Sequence, residues 1–162
     1  MKDESKREDC DSARFLSIDE YVEAINLKIF KTNDEEWYLR IRLWWAFNDK
    51  YRWGTEEQYL KYLDMLSYAE LRCKFGIDVD KVVFNENDKS IYESNCIRLI
   101  EMLDKNKIDD KITCAELYRN LGNYTKCKNI LETIHEEKYD WIKEVLTKEC
   151  EKDNRKVIKL SK

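Results

Sequence analysis

The chain has 162 residues, of which 43% are hydrophobic and 40% charged, and its formal net charge is −4. This length fits one domain with a sizeable core, so the charged residues indicate a well-solvated surface rather than disorder. Because 34 acidic and 30 basic residues nearly balance, and no block of Lys and Arg covers one face, nucleic-acid binding is disfavoured.

Three glycines and no prolines favour an all-α fold. An all-β protein would need many of both residues in its turns, whereas long helices tolerate this composition. No run of 18 apolar residues occurs and residues 1–16 lack the apolar core of a signal peptide, so we expect a cytoplasmic protein without a membrane partner. The six cysteines are widely spaced and are expected to be reduced thiols.

The chain divides into a charged N-terminal segment and one helical domain. Residues 1–16 are aperiodic and are expected to be disordered or loosely docked, and residues 17–162 form the domain. Ser17 and Glu20 fit a capping box, after which apolar residues at helical spacing predict a first helix to about Lys31.

The predicted helix at 34–53 holds four of the five tryptophans and is apolar around most of its circumference. Thr32 and Glu35 form a capping box before it, and Gly54 can end it. We expect this helix to lie in the core with Trp44 and Trp45 buried. A narrow polar strip is left for solvent, formed by Tyr38, Arg42, Ala46 and Asp49.

Five further helices bring the predicted total to about seven, in irregular antiparallel hairpins. Ser90 and Glu93 fit a capping box, Asp109 or Asp110 caps the next helix, and Gly122 ends that helix. A loop is expected at 77–84, because no partner strand of comparable strength is present. The five helices are predicted at 55–76, 90–105, 109–121, 124–138 and 140–152.

The segment AELYRNLGNYTKCKNILETI, from Ala115 to Ile134, resembles one unit of a tetratricopeptide repeat. Small Ala115 and Cys127 fit positions where two helices approach closely, and bulky Tyr118 fills the space beside them. The resemblance covers about residues 109–138, and RIRLWWAFND together with AELYRNLGNY is similar to uncharacterised bacterial proteins of repeat-like type. The resemblance to a tetratricopeptide unit implies a helical hairpin of the kind that binds peptides or partner domains.

Two groups of candidate site residues follow. The resemblance implies partner contacts near the hairpin turn, at Tyr118, Arg119 and Asn123, and Trp53 is the tryptophan most suited to an exposed contact. Within 34–53, Arg40 and Asn48 project from the apolar face. We expect Arg40 to pair with an acid from another helix and Asn48 to bond a loop carbonyl.

The alternative for this second group is a polar pocket that also includes Asp49 and Arg52. That pocket would be needed by an enzyme, because a reaction requires polar groups that converge in an open cleft.

No metal or cofactor is predicted. His135 is the sole histidine, the cysteines form no C-x-x-C pair, and three isolated glycines cannot build a phosphate loop. The leading functional hypothesis is a non-catalytic cytoplasmic interaction module, or adaptor, that binds a protein or peptide through helical hairpins. The alternatives are an immunity or antitoxin-type inhibitor of a partner protein, and a small hydrolase or nuclease that uses Arg40, Asp49 and nearby carboxylates.

Overall fold

A computed structural model describes residues 16–53, 86–158 and 160. Within these ranges the chain is helical and contains no strand, which confirms the all-α class. The predicted helix at 55–76, the loop at 77–84 and residues 1–15 lie outside the described residues. Six α-helices are present in the described part: α1 Ile18–Asn26, α2 Asn33–Trp53, α3 Glu86–Met102, α4 Ile108–Asn120, α5 Tyr124–Glu132 and α6 Asp140–Glu151. A 3-10 turn, Glu137–Tyr139, precedes α6.

Capping boxes begin the first two helices, as predicted. The hydroxyl of Ser17 accepts from the amide of Glu20 at 3.2 Å, and the Glu20 carboxylate accepts from the amide of Ser17 at 2.8 Å. At the start of α2, Thr32 and Glu35 make the same reciprocal pair at 3.2 and 3.3 Å. These bonds satisfy amides that have no partner inside the helix.

Three helices end in the same way, on a residue in the left-handed conformation. These residues are Lys28, Gly122 and Asp153, with φ of 50°, 75° and 54°. The amide of the next residue bonds a carbonyl five positions earlier, as in Asn123 to Tyr118 at 2.8 Å. The end marked by glycine was predicted correctly. The end of α1 was not, because Lys28 carries no sequence signal for this conformation, and α1 stops at Asn26 rather than Lys31.

Three other predicted boundaries were wrong. Helix α3 begins at Glu86, so Ser90 lies inside the helix and does not cap it. The polar first turn of α3 packs against α2 through an ion pair of 2.7 Å between Lys50 and Asp88. The N-cap position of α4 is occupied by Lys107, whose side chain makes no capping hydrogen bond, and Asp109 and Asp110 lie in the first turn. Helix α5 ends at Glu132 instead of Lys138.

Helices α2 and α3 are antiparallel, because their contacts run in opposite directions along the chain. From one end to the other, the contacting pairs are Glu36 with Arg98, Arg40 with Asn95, Phe47 with Tyr92, and Lys50 with Asp88. Together with α1 and one side of α4, these helices enclose the first core cluster, in which Phe47, Leu99 and Leu117 are fully buried.

A second core cluster lies between α4, α5 and α6, around Ala115, Cys127 and Leu146. The turn from α4 to α5 spans only residues 121–123, so these helices form an antiparallel hairpin. Tyr118 and Ile130 pack against both clusters. The hairpin α4–α5 is thus the element shared by the two halves of the core.

The two adjacent tryptophans of α2 have different environments, contrary to the prediction that both are buried. Trp44 is 6% exposed and Trp45 is 42% exposed. Trp45 lies on the solvent stripe with Tyr38, whereas Ala46, which was predicted to face solvent, is buried. The aromatic residues of α2 therefore do not all pack in the core.

Replacing each of these tryptophans by alanine should give unequal losses of stability. Trp44→Ala removes a buried aromatic and should lower the free energy of unfolding by about 3–5 kcal/mol, whereas Trp45→Ala should cost about 1 kcal/mol or less. Urea denaturation of the two variants measures both values. Equal losses at the two positions would contradict this orientation of α2.

Candidate functional site

Arg40 lies in a cross-helix network centred on Glu36. Its Nε donates to the Glu36 carboxylate at 2.7 Å, and its guanidinium contacts Asn95 of α3 at 3.4 Å. Asn95 in turn donates to the backbone carbonyl of Arg40 at 2.9 Å. The prediction that an acid from another helix pairs with Arg40 was wrong: the acid is on the same helix, and α3 supplies an amide and a second arginine, Arg98.

Glu36 is the centre of this network, and it is 6% exposed. Arg98, on α3, donates hydrogen bonds to both carboxylate oxygens of Glu36, each at 3.0 Å. This bond to Arg98, with a further contribution from Arg40, lowers the pKa of Glu36 to about 2, although burial acts in the opposite direction. The carboxylate is therefore ionised and fully engaged, which is typical of a structural ion pair.

Glu36→Gln should reveal this contribution through its pH dependence. The folded pKa lies below the unfolded value, so the carboxylate contributes stability above about pH 4.5 that is lost as the pH falls towards 2. Because Arg98 is 41% exposed, we expect a loss on the order of 2 kcal/mol at pH 7. Denaturation at pH 7, 5 and 3 should show the difference between the two proteins shrinking with acidity. A constant difference would exclude the charge as its cause.

Of the other polar candidates of α2, the structure describes the side chains of Asn48 and Asp49. Asn48 is buried, and its side-chain Nδ2 makes no hydrogen bond with the described residues, so the predicted bond to a loop carbonyl is not found among them. Asp49 is partly buried and has an interaction partner. The side chains of Arg52 and Trp53 lie outside the described residues, although their backbone belongs to α2.

Arg119, predicted as a surface contact, is fully buried at 0% exposure. Its Nε and one terminal nitrogen donate to the two oxygens of Glu116, at 2.9 and 2.5 Å. The same terminal nitrogen also donates to the carbonyl of Lys156 at 2.7 Å, and the other donates to the carbonyl of Asn154. Arg119 thus binds the backbone of the C-terminal segment, residues 154–158, to α4.

Asn120 extends this arrangement to the first core cluster. Its amide nitrogen donates to the carbonyl of Arg155 at 2.9 Å, and its side-chain oxygen accepts from the indole nitrogen of Trp44 at 3.1 Å. We call Glu116, Arg119 and Asn120 the tail clasp. The prediction from sequence missed Glu116 and Asn120, although an acid three residues before an arginine on a helix signals a possible pair.

A surface cavity of about 430 Å³ lies on another face of the hairpin, and we call it the hairpin groove. Its wall includes Tyr118, one of the predicted contacts, and its apolar part also includes Leu103, Cys114 and Ile130. Asn123 lies in the nearby turn, where its side chain accepts from the amide of Lys126 and begins α5. Of the three contacts predicted on the hairpin, only Tyr118 therefore lines this cavity.

Three lysines line the hairpin groove. Lys105 comes from the loop between α3 and α4, Lys111 from the first turn of α4, and Lys126 from the first turn of α5. The ammonium of Lys126 lies 5.1 Å from the centre of the Tyr118 ring, and that of Lys111 donates to the carbonyl of Thr133 at 3.3 Å. The groove thus combines an apolar interior with cationic groups.

The cysteine thiol of the groove is not an activated nucleophile. Cys114 is 4% exposed, and burial raises the pKa of its thiol. Burial likewise raises the pKa of Cys96, to about 12, and that of Cys127. A nucleophilic cysteine needs a lowered pKa and access to solvent, so these three thiols are packing residues.

Two further findings concern the described residues only. They include no group of three or more His, Cys, Asp or Glu side chains that could hold a metal ion. None of their helices combines the length and apolar character needed to cross a bilayer.

Comparisons of the chain with protein-family models, with curated proteins and with solved structures found no match. The resemblance of the hairpin α4–α5 to a tetratricopeptide unit therefore stays a prediction, and any functional proposal depends on the geometry of the chain itself.

Proposed function

We propose that the protein is a non-catalytic interaction module that binds a protein or peptide partner in the hairpin groove. The observation that carries this proposal is the groove itself, an open cavity of about 430 Å³ with an apolar wall and a charged rim on the hairpin α4–α5. Cavities of roughly 300–1,000 Å³ that combine apolar lining with a few polar groups are the usual form of binding sites.

The contacts of the hairpin support a rigid binding surface. Helix α4 packs against the first core cluster through Leu117 and against the second through Ala115, and both residues are fully buried. The tail clasp fixes a further side of the same helix. A partner would therefore meet a preformed surface, which lowers the entropic cost of binding.

The described polar networks support binding rather than catalysis. The Glu36 carboxylate is engaged by two arginines, and Glu116 is engaged by Arg119. Both networks satisfy their charges internally, whereas a catalytic acid or base must reach a substrate. The hydrolase or nuclease alternative, which requires Arg40 in an open cleft, has less support.

The compartment that we propose is the cytoplasm. The four described cysteines are free thiols, although Cys127 and Cys150 share one core cluster, and free thiols are typical of a reducing environment.

Site-specific photo-cross-linking should test the proposed site. Asn129 is exposed and lines the groove, so a benzoylphenylalanine at this position should cross-link to a partner in an extract of the native cells. The matched control is the same substitution at Lys89, which is exposed on α3. We expect an adduct at position 129 only, and 1:1 binding of the purified partner by calorimetry without its conversion.

The absence of an adduct at position 129, or equal adducts at both positions, would contradict binding in the groove. Chemical conversion of the captured partner would instead support an enzyme.

A further inference from the structure

The charge of the hairpin groove is opposite to that of the chain. Three lysines and one aspartate line it, while the chain as a whole has a formal net charge of −4. The aspartate, Asp110, is already engaged, because its carboxylate accepts from the backbone amide of Asp104 at 2.9 Å. The groove is therefore a local cationic site on an acidic protein.

The lysines of the groove make no ion pair with the described residues, in contrast to four other lysines of the described part. Lys50, Lys143, Lys148 and Lys152 each pair with a carboxylate within 2.8 Å. Among the described residues, the lysines of the groove contact at most an aromatic ring or a backbone carbonyl, and Lys105 makes no hydrogen bond or ion pair with them. Their charges remain available to an anionic ligand.

The cations lie towards two ends of the groove. Because α4 and α5 are antiparallel, Lys126 in the first turn of α5 lies beside Tyr118 near the end of α4, whereas Lys111 lies beside Thr133 at the end of α5. Lys111 and Tyr118 are seven residues apart on one helix, which corresponds to about 10 Å along its axis. The apolar wall, including Cys114 and Ile130, lies between these ends.

We propose that the groove recognises an acidic peptide segment in which two carboxylates flank an apolar side chain. This inference rests on the proposed function and names the chemistry of its partner. The apolar side chain enters between Cys114, Tyr118 and Ile130, one carboxylate meets Lys126, and the other meets Lys105 and Lys111. In an extended peptide, about 10 Å corresponds to roughly three residues, so the acids should be about three positions apart.

Selection from a displayed library of random 12-residue peptides, with the full chain as bait, tests this inference. We expect enriched peptides to contain Asp or Glu about three positions apart with Leu, Ile, Met or Phe between them. A synthetic peptide of the enriched sequence, labelled with fluorescein, then gives a dissociation constant by fluorescence polarisation. Its affinity should fall as salt is raised, because exposed charge pairs are screened.

Charge reversal supplies the specific control. Lys105→Glu with Lys126→Glu should weaken the affinity for the peptide at least tenfold, and Lys89→Glu with Lys138→Glu, which makes the same charge change at exposed sites outside the groove, should alter the affinity less than twofold. The double variant of the groove should bind better than the wild type to a peptide whose acids are replaced by lysine. Lys105→Gln with Lys126→Gln repeats the test without introducing repulsion, and circular dichroism checks the fold of each variant.

The specificity for acidic peptides and the proposed binding module can be rejected separately. Enrichment of peptides without acidic residues that still compete with cross-linking at position 129 would overturn the acidic specificity and leave the binding module intact. Peptides that bind equally to the wild type and the double variant of the groove would also overturn it. If no enriched peptide competes at position 129 and no partner cross-links there, both proposals are rejected.

Discussion

The buried guanidinium of Arg119 is the constraint on which the arrangement of the hairpin depends. A charged group with no exposed surface is stable only if its donors find partners, because desolvation of an unpaired charge costs several kcal/mol. Both carboxylate oxygens of Glu116 accept hydrogen bonds from Arg119, and so do the backbone carbonyls of Asn154 and Lys156 in the C-terminal segment. The chain after α6 must therefore return to α4.

Asn120 transmits this constraint to the other half of the protein. It bonds the C-terminal segment through its nitrogen and Trp44 of α2 through its oxygen, so one side chain joins three parts of the chain. Successive residues of a helix are about 100° apart, and Lys111, Cys114 and Tyr118 consequently share a different face from Arg119 and Asn120. With its inner faces occupied, α4 presents this remaining face as the wall of the hairpin groove.

The sequence predicted those features of the fold that depend on local interactions. The capping boxes at Ser17 and Thr32 were correct because both partners lie within three residues of each other. The ends of α1 and α5 were not, because Lys28 and the Thr133 region lack the glycine that signals such an end. The start of α3 was missed because its first turn is polar and is held by Lys50, 38 residues earlier.

The candidate site was less predictable, because it depends on which side of a mostly apolar helix faces a neighbour. The burial of Trp44 and the exposure of Trp45 follow from the position of α4, which composition does not reveal. Arg119 was predicted as a surface contact because it lies near the turn of the hairpin that the resemblance identified. Its burial could not be predicted, because one of its partners, the carbonyl of Lys156, lies 37 residues away. Tyr118 was identified through the resemblance, whereas the lysines around it come from three separate elements.

Limited trypsin digestion of Arg119→Met tests the central role of this guanidinium most directly. In the wild type, cleavage after Arg155 and Lys156 should be slow, because the carbonyls of this segment are bound to α4 and cannot enter a protease site. Loss of charge-assisted bonds of about 1.5–3 kcal/mol each should accelerate these cleavages at least tenfold relative to cleavage in α2. Lys148→Met, which removes an exposed pair on α6, should leave them unchanged. Equal protection of the C-terminal segment in Arg119→Met and the wild type would contradict the account.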